Sequence, residues 1–402
     1  MLWSSATILA LTAIVCAHSH HVHNQQAFSQ DRLDELEKKW GTDWGFSGIS
    51  TFAHLPHTRC LTHPQTSYDI AILGAPFDTA VSYRPGARFG PRAIRTGSAR
   101  QTSFRGFNPR AGLNPYTSWA NIVDCGDIPI TPFDNALALR QMSEAFLELG
   151  KRGPTEKSTE SGVGYFQRPK LLTLGGDHSI ALPALRALKE VYGQPIAVVH
   201  FDAHLDTWHP AKYPSAWIDP EDPSQQSYFN HGSMFWLAAT EGLIANGSSV
   251  HAGLRTRLSG DDAEDHADDS QQGWIRIATD DIDDIGAGGI VTSILNRVGT
   301  NTPVYLSIDI DVIDPGLAPG TGTPEPGGWT TRELIRILRG IEGMNVVGAD
   351  IVEVSPAYDG AAETTGLAAA QVAYEVLTSI VRKGLIEQAK SVKDKSSEKD
   401  EL

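Results

Sequence analysis

Lys170-Leu171-Leu172-Thr173-Leu174-Gly175-Gly176-Asp177-His178-Ser179 and, a few residues on, Pro195-Ile196-Ala197-Val198-Val199-His200-Phe201-Asp202-Ala203-His204-Leu205-Asp206 bracket the stretch that decides the fold. Lys170–Leu174 and Pro195–Phe201 are short apolar runs that read as buried strands. Between them Ile180–Val191 has helical spacing, with Ser179 as its N-cap. Strand, helix and strand in succession predict a parallel pair.

The alternation continues on both sides. Tyr68–Gly74 reads as a strand and Leu137–Leu149 as a helix. Phe235–Glu241 is a helix, Ser249–Leu254 and Ile275–Ala278 are strands, and a helix runs to about Val298. Pro303–Ile310 is a strand, Thr331–Gly340 a helix capped by Thr330 or Thr331, Asn345–Val354 a strand and Glu363–Gly384 the last helix. The expected fold is a three-layer α/β/α sandwich with a mostly parallel central sheet. The pattern never breaks, so residues 67–388 are taken as one domain. Residues 18–66 are polar and weakly patterned and read as an N-terminal arm, with one short helix over Asp31–Trp40. Residues 151–167 read as an exposed connection and 389–402 as a disordered charged tail.

The 402 residues carry 41% hydrophobic and 20% charged side chains, which places the chain among ordinary globular proteins. A net charge of −15 disfavours nucleic acid as a partner and mildly favours a cationic substrate. Residues 1–17 lack charged side chains and end in Val15-Cys16-Ala17, the pattern of a secretory signal peptide. The chain closes on Lys399-Asp400-Glu401-Leu402, the tetrapeptide read by the receptor that returns proteins to the endoplasmic reticulum. No segment is long and apolar enough for a membrane span. Asn246-Gly247-Ser248 is a glycosylation sequon, usable only in that compartment. Cys125, after Ile122-Val123, reads as a buried thiol and Cys60 lies in a polar, exposed-looking stretch; an oxidising lumen would permit a disulfide between them, though nothing in the sequence brings them together. Cleavage after Ala17 would leave His18-Ser19-His20 at the mature end, a set able to chelate Cu²⁺ or Ni²⁺.

Three segments carry the chemistry: Gly175–Ser179, Asp202–Asp206 and Ser307-Ile308-Asp309-Ile310-Asp311. Each stands at the carboxyl end of an expected strand, where open parallel sheets bind ligands. Alternate residues share one side of an extended segment, so Asp202, His204 and Asp206 converge. Asp309 and Asp311 repeat the arrangement, and His178 joins from a third strand. Four carboxylates so placed repel one another unless cations lie between them. Carboxylate oxygen with imidazole nitrogen suits Mn²⁺ or a similar ion, and a metal pair makes hydroxide from water near neutral pH.

These segments resemble the ureohydrolases, the family of arginase and agmatinase, from about Tyr68 to Lys383. The match includes Ser307 through Asp314-Pro315 and Glu353-Val354-Ser355-Pro356. The resemblance implies two Mn²⁺ per subunit: one on His178, Asp202, Asp206 and Asp309, the other on Asp202, His204, Asp309 and Asp311, so that Asp202 and Asp309 bridge. It implies that Glu353 pairs with the guanidinium of a small cationic guanidino substrate, and that His231, in Asn230-His231-Gly232-Ser233, shuttles a proton to the leaving amine. It also implies a homo-oligomer, a trimer or hexamer.

Asp206-Thr207-Trp208, His231–Phe235, Gly74–Asp78, Arg84–Pro91 and Gly320–Gly328 resemble agmatinases, which implies agmatine as substrate and putrescine plus urea as products. The long Trp208–Asn230 loop departs from that pattern and keeps guanidinobutyrate, or another ω-guanidino acid, as a competitor. Arg84 and Arg88 are candidates to meet such a carboxylate, or to form structural ion pairs. A catalytically silent metal-binding luminal protein is the reading from another functional class.

Overall fold

The central strands are apolar on both faces because both faces are covered. Ile70–Ala75 (β1), Lys170–Gly175 (β3), Ala197–Phe201 (β4) and Ser249–Leu254 (β5) are buried at every position in the computed structural model. With Ile122–Asp127 (β2), Trp274–Ala278 (β6), Pro303–Asp309 (β7) and Asn345–Val352 (β8) they form one sheet in the order β2-β1-β3-β8-β7-β4-β5-β6. Every pairing is parallel. The structure describes residues 28–153, 155, 166–219 and 226–400. The signal-peptide reading, the His18-Ser19-His20 end, most of the 151–167 connection and the final Glu401-Leu402 lie outside them.

Two apolar layers flank the sheet. Gly90–Gly97 (α2), Asp281–Val298 (α7), Thr331–Gly340 (α8) and Thr364–Asp400 (α9) pack on one face, through residues such as Ile94, Ile294, Ile337 and Val376. Asn135–Gly150 (α3), Ala181–Tyr192 (α4) and Met234–Thr240 (α5) cover the other through Phe146, Leu185 and Phe235. Glu264–Gln271 (α6), strongly polar and absent from the sequence reading, lies beside β6. This is the expected three-layer sandwich. No helix of the described residues is long and apolar enough to cross a membrane.

Several local expectations change. The chain divides after Thr42, not after residue 66. Before that point Gln30–Trp40 (α1) is capped by Ser29 and buries no side chain. Residues 43–66 belong to the larger unit, because Phe52, Ala53 and Leu55 supply core and the Phe52 N–H donates to Asp124 Oδ2 at 2.8 Å. The cap ahead of α4 is Asp177, whose carboxylate accepts the Ser179 N–H; a 3₁₀ turn, His178–Ile180, precedes the helix. At α8 Thr330 and Glu333 form a reciprocal capping box. The backbone of α9 continues to Asp400, where a disordered tail was expected, since no Gly or Pro after Gly384 interrupts it.

Cys60 and Cys125 form the disulfide that the sequence left open; Cys125 is buried as expected, and Cys60, expected near the surface, is buried too. The bond joins the 43–66 segment to β2 across 65 residues of sequence. Beside it the buried Arg95 grips Asp124 with two bonds of 2.9 Å and Asp127 with one of 2.6 Å. Closing a loop of this size contributes about 2–4 kcal/mol. A Cys60→Ser, Cys125→Ser double variant is therefore expected to lose about that much in urea unfolding. An unchanged midpoint would show that the bond carries no stability.

Candidate active site

β3, β8, β7 and β4 are adjacent in the middle of the sheet, and each delivers its functional residues at its carboxyl end. His178 follows β3, Glu353 follows β8, Asp309 ends β7, and Asp202 to Asp206 follow β4. The turn after β3 needs its glycines. A Cβ on Gly176 would collide with the Phe77 carbonyl oxygen, and one on Gly175 would lie 2.5 Å from Val352 Cγ1. Carboxylates shape the other turns: Asp309 Oδ1 accepts the Asp311 N–H at 2.8 Å, and Asp311 Oδ1 accepts the Ala203 N–H at 3.1 Å. Asp206 and Glu353 both have left-handed backbones, φ 55° and 60°. Strain of that kind in non-glycine residues gathers at functional sites.

The side chains converge. His178 Nδ1 lies 3.0 Å from Asp202 Oδ2, 3.1 Å from Asp206 Oδ2 and 3.4 Å from Asp309 Oδ2. It is aligned for a hydrogen bond to none of them. Three oxygens around one buried nitrogen, without hydrogen-bond geometry, is how ligands surround a common cation. His204 Nδ1 lies 3.2 Å from Asp202 Oδ1 and 3.1 Å from Asp311 Oδ2. Asp202 thus turns one oxygen to each cluster, as a bridging carboxylate must. Asp309 turns Oδ2 to His178, while its Oδ1 accepts the Asp311 N–H.

The electrostatics demand cations. Burial, then Asp311 and Asp202, hold the Asp309 carboxyl well above the usual carboxylate range. Burial and Asp202 raise Asp206 to about 6, and the same two causes raise Asp311. Burial disfavours charge on His178 and His204, yet the carboxylates around them push both well up. In the metal-free protein, protons take the place of cations. The donor set fits two divalent ions, one on His178, Asp202, Asp206 and Asp309, the other on Asp202, His204 and Asp311.

Glu353 and His231 meet at the rim. Glu353 Oε1 accepts the His178 N–H at 2.9 Å and faces His231 Nδ1 at 3.1 Å. Glu353 Oε2 is buried without a hydrogen-bond partner among the described residues. His231 Nε2 accepts the Ser82 N–H at 3.0 Å, so the ring proton sits on Nδ1 and points at Glu353. Burial disfavours the imidazolium, but Glu353, Asp206 and Asp177 outweigh it and move His231 to about 9. Ser82 Oγ also lies 2.8 Å from Nε2, so when Nε2 takes up a proton it gives up the Ser82 N–H and can donate to that hydroxyl instead.

Neighbouring residues divide as follows. Arg88 pairs with the buried Asp78, a structural role. Arg84 lies over the rings of Tyr83 and Tyr358, 5.2 and 4.9 Å from their centroids. The described part of the 208–230 loop is pinned: Trp208 Nε1 donates to Asp265 at 2.8 Å, and Lys212 to Glu264 at 2.8 Å. Asn246 is exposed and apart from the site.

Sequence reading missed the supports behind the ligands. His178 Nε2 meets Ser307 Oγ at 2.8 Å, and Ser307 donates to Asp350, whose other oxygen accepts from Tyr305. His200 Nε2 donates to Asp202 Oδ2 at 2.9 Å, and burial keeps that ring neutral, near 3. The one available signal was spacing: His200 and Ser307 each lie two residues before a ligand in a strand, on the ligand's side.

The titrations fix a pH dependence. Asp206, Asp309, Asp311, His178 and His204 all have folded-state values above their unfolded ones. Such groups contribute stability below the unfolded pKa and lose it as pH rises through the folded value. Asp202, held below its usual value by His200, His178 and His204 against burial, titrates beneath this window. The metal-free protein is therefore expected to lose stability as pH rises from about 4, through about 6 where Asp206 titrates, and on above about 6.5 with the two histidines, while bound metal removes the loss. Calorimetry with chelator and with added Mn²⁺ should show a Tm gain that grows across that range. A pH-independent gain would refute the proton-for-metal exchange.

Comparison with known proteins agrees with this geometry. The arginase family profile matches residues 68–378. A Schizosaccharomyces pombe protein described as "Putative agmatinase 1" is 50% identical over 348 residues, 86% of each chain. A Pseudomonas aeruginosa guanidinobutyrase is 36% identical over 341 residues, 84% of this chain and 95% of that one. The crystal structure of proclavaminate amidino hydrolase from Streptomyces clavuligerus superposes with a TM-score of 0.69 at 35% identity, covering 85% of this chain and all of that one. One parallel sheet, a buried His/Asp cradle at its centre and these likenesses lead to a single assignment: the chain belongs to the arginase family, as an agmatinase-like ureohydrolase.

Proposed function

We propose that the cradle holds two Mn²⁺ ions and that the chain hydrolyses agmatine to putrescine and urea. Glu353 Oε2 carries the reading. A buried carboxylate oxygen without a partner, beside a metal cradle, wants a cationic hydrogen-bond donor. A Cβ at Gly322 would sit 3.2 Å from that oxygen, so the glycine keeps the space above it open. Divalent metals, when bound, acidify water so that hydroxide is available near neutral pH. Glu353 holds and orients the guanidinium, while the surrounding burial excludes bulk water. The C–N bond to the amine breaks as a C–O bond forms. His231, its Nδ1–H fixed by Glu353, delivers a proton from Nε2 to the departing nitrogen.

A second reading has its own observation. The Arg84 backbone borders the site, its carbonyl oxygen 3.0 Å from where a Cβ on Gly322 would stand, and its guanidinium, over the Tyr83 and Tyr358 rings, is the candidate partner for the carboxylate of an ω-guanidino acid. Urea release from agmatine, arginine, guanidinobutyrate and guanidinopropionate, measured side by side, separates the two. Agmatine is expected to dominate, and Glu353→Gln to lower kcat/KM by about 100-fold, the equivalent of about 3 kcal/mol. Preference for a guanidino acid moves the assignment to that class. No urea from any compound by fully loaded protein leaves a silent metal-binding role.

We also propose a homo-oligomer, a trimer or hexamer, residing in the endoplasmic reticulum lumen. The Cys60–Cys125 disulfide and the exposed Asn246 support the compartment, since disulfides persist where the medium oxidises. Removing Lys399–Leu402 should send the protein to the medium; retention of the truncated chain would count against retrieval. Sedimentation of the purified protein tests the assembly, and a monomer would dismiss it.

A further inference from the structure

Behind the bridging carboxylate runs a chain of buried side chains that the reaction does not use. β4 and β5 pair in parallel with His200 directly opposite His251. Both rings are fully buried. From Asp202 Oδ2 the path goes to His200 Nε2 at 2.9 Å, from His200 Nδ1 to His251 Nδ1 at 2.7 Å, and from His251 Nε2 to Asp269 Oδ1 at 3.0 Å. Asp269, fully buried on α6, also accepts from Thr207 Oγ1 at 2.8 Å and from Arg276 at 2.6 Å. Trp274 stacks on His251 at 4.0 Å and Phe235 stands edge-on to His200 at 4.8 Å, sealing the chain from water.

Carboxylates only accept, so each Nε2 bears a hydrogen. The contact between the two Nδ1 atoms needs one more on one ring or the other. His251 lies flat against Trp274 and next to Asp269.

We propose that Asp269, His251 and His200 are positioning residues that lock the plane of Asp202 and thereby set the metal affinity of the cradle. His200 holds one Asp202 oxygen, and the His204 N–H holds the other at 2.5 Å. A carboxylate fixed at both oxygens stays aimed at His178 and at His204 together. The same α6 residue anchors Thr207, next in sequence to the ligand Asp206. One helix therefore steadies two ligands. The inference rests on the metal-cradle reading of the site.

The test uses the full chain with Asp269→Asn and, at the far end, Arg276→Gln. Three properties are measured: Mn²⁺ affinity by calorimetry, the Tm of the chelator-treated protein, and the exchange-protected imidazole proton by NMR. Asp269→Asn is expected to weaken Mn²⁺ by about 10- to 100-fold and to abolish the N–H···N proton signal. Arg276→Gln should shift affinity the same way by a smaller factor, which keeps the test alive should Asp269→Asn not fold. A lowered metal-free Tm with unchanged Mn²⁺ affinity in the folded variants would overturn the proposal and leave a structural role. Failure of the wild-type chain to bind Mn²⁺ would remove the cradle reading itself, and the proposal with it.

Discussion

Four buried aspartates at one end of a sheet repel one another, and the architecture is arranged around that repulsion. Asp202, Asp206, Asp309 and Asp311 are nearly inaccessible to water, so solvent cannot screen them. Protein groups answer with histidines, His178 between three carboxylates and His204 between two. Two imidazoles do not neutralise four carboxylates and Glu353. Raised values at Asp309 and Asp206 record the deficit, and divalent cations are what the geometry calls for.

The sheet order makes the crowding possible. β3, β8, β7 and β4 are distant in sequence but consecutive in space, so residues near 178, 353, 309 and 204 share one rim. Backbone conformation adds to it. Left-handed turns at Asp206 and Glu353 cost about 1–3 kcal/mol each and persist because buried neighbours hold them. Both residues face the cradle, which is where such strain has a use.

Rigidity comes from a layer behind the ligands. Ser307, Asp350 and Tyr305 back His178; His200, His251 and Asp269 back Asp202; Asp265 holds Trp208 after the last β4 ligand. Helix α6 supplies two of these anchors although it buries almost no apolar surface. Its residues are polar because their task is to accept hydrogen bonds, and that polarity hid it from a search for amphipathic spacing.

What the sequence determined by itself is local. Alternating apolar runs located seven of the strands, and ligands spaced two apart announced one-sided clusters. All six metal-binding candidates, with His231 and Glu353, come together at one place. Tertiary structure decided everything that needs register between distant segments. The Cys60–Cys125 bond, the opposition of His200 and His251 across two strands, and the reach of Asp269 from α6 join residues 65, 51 and 18 positions apart. No periodicity encodes those distances. They follow from strand order and the parallel pairing, which the chain settles only when its two apolar layers close over the sheet.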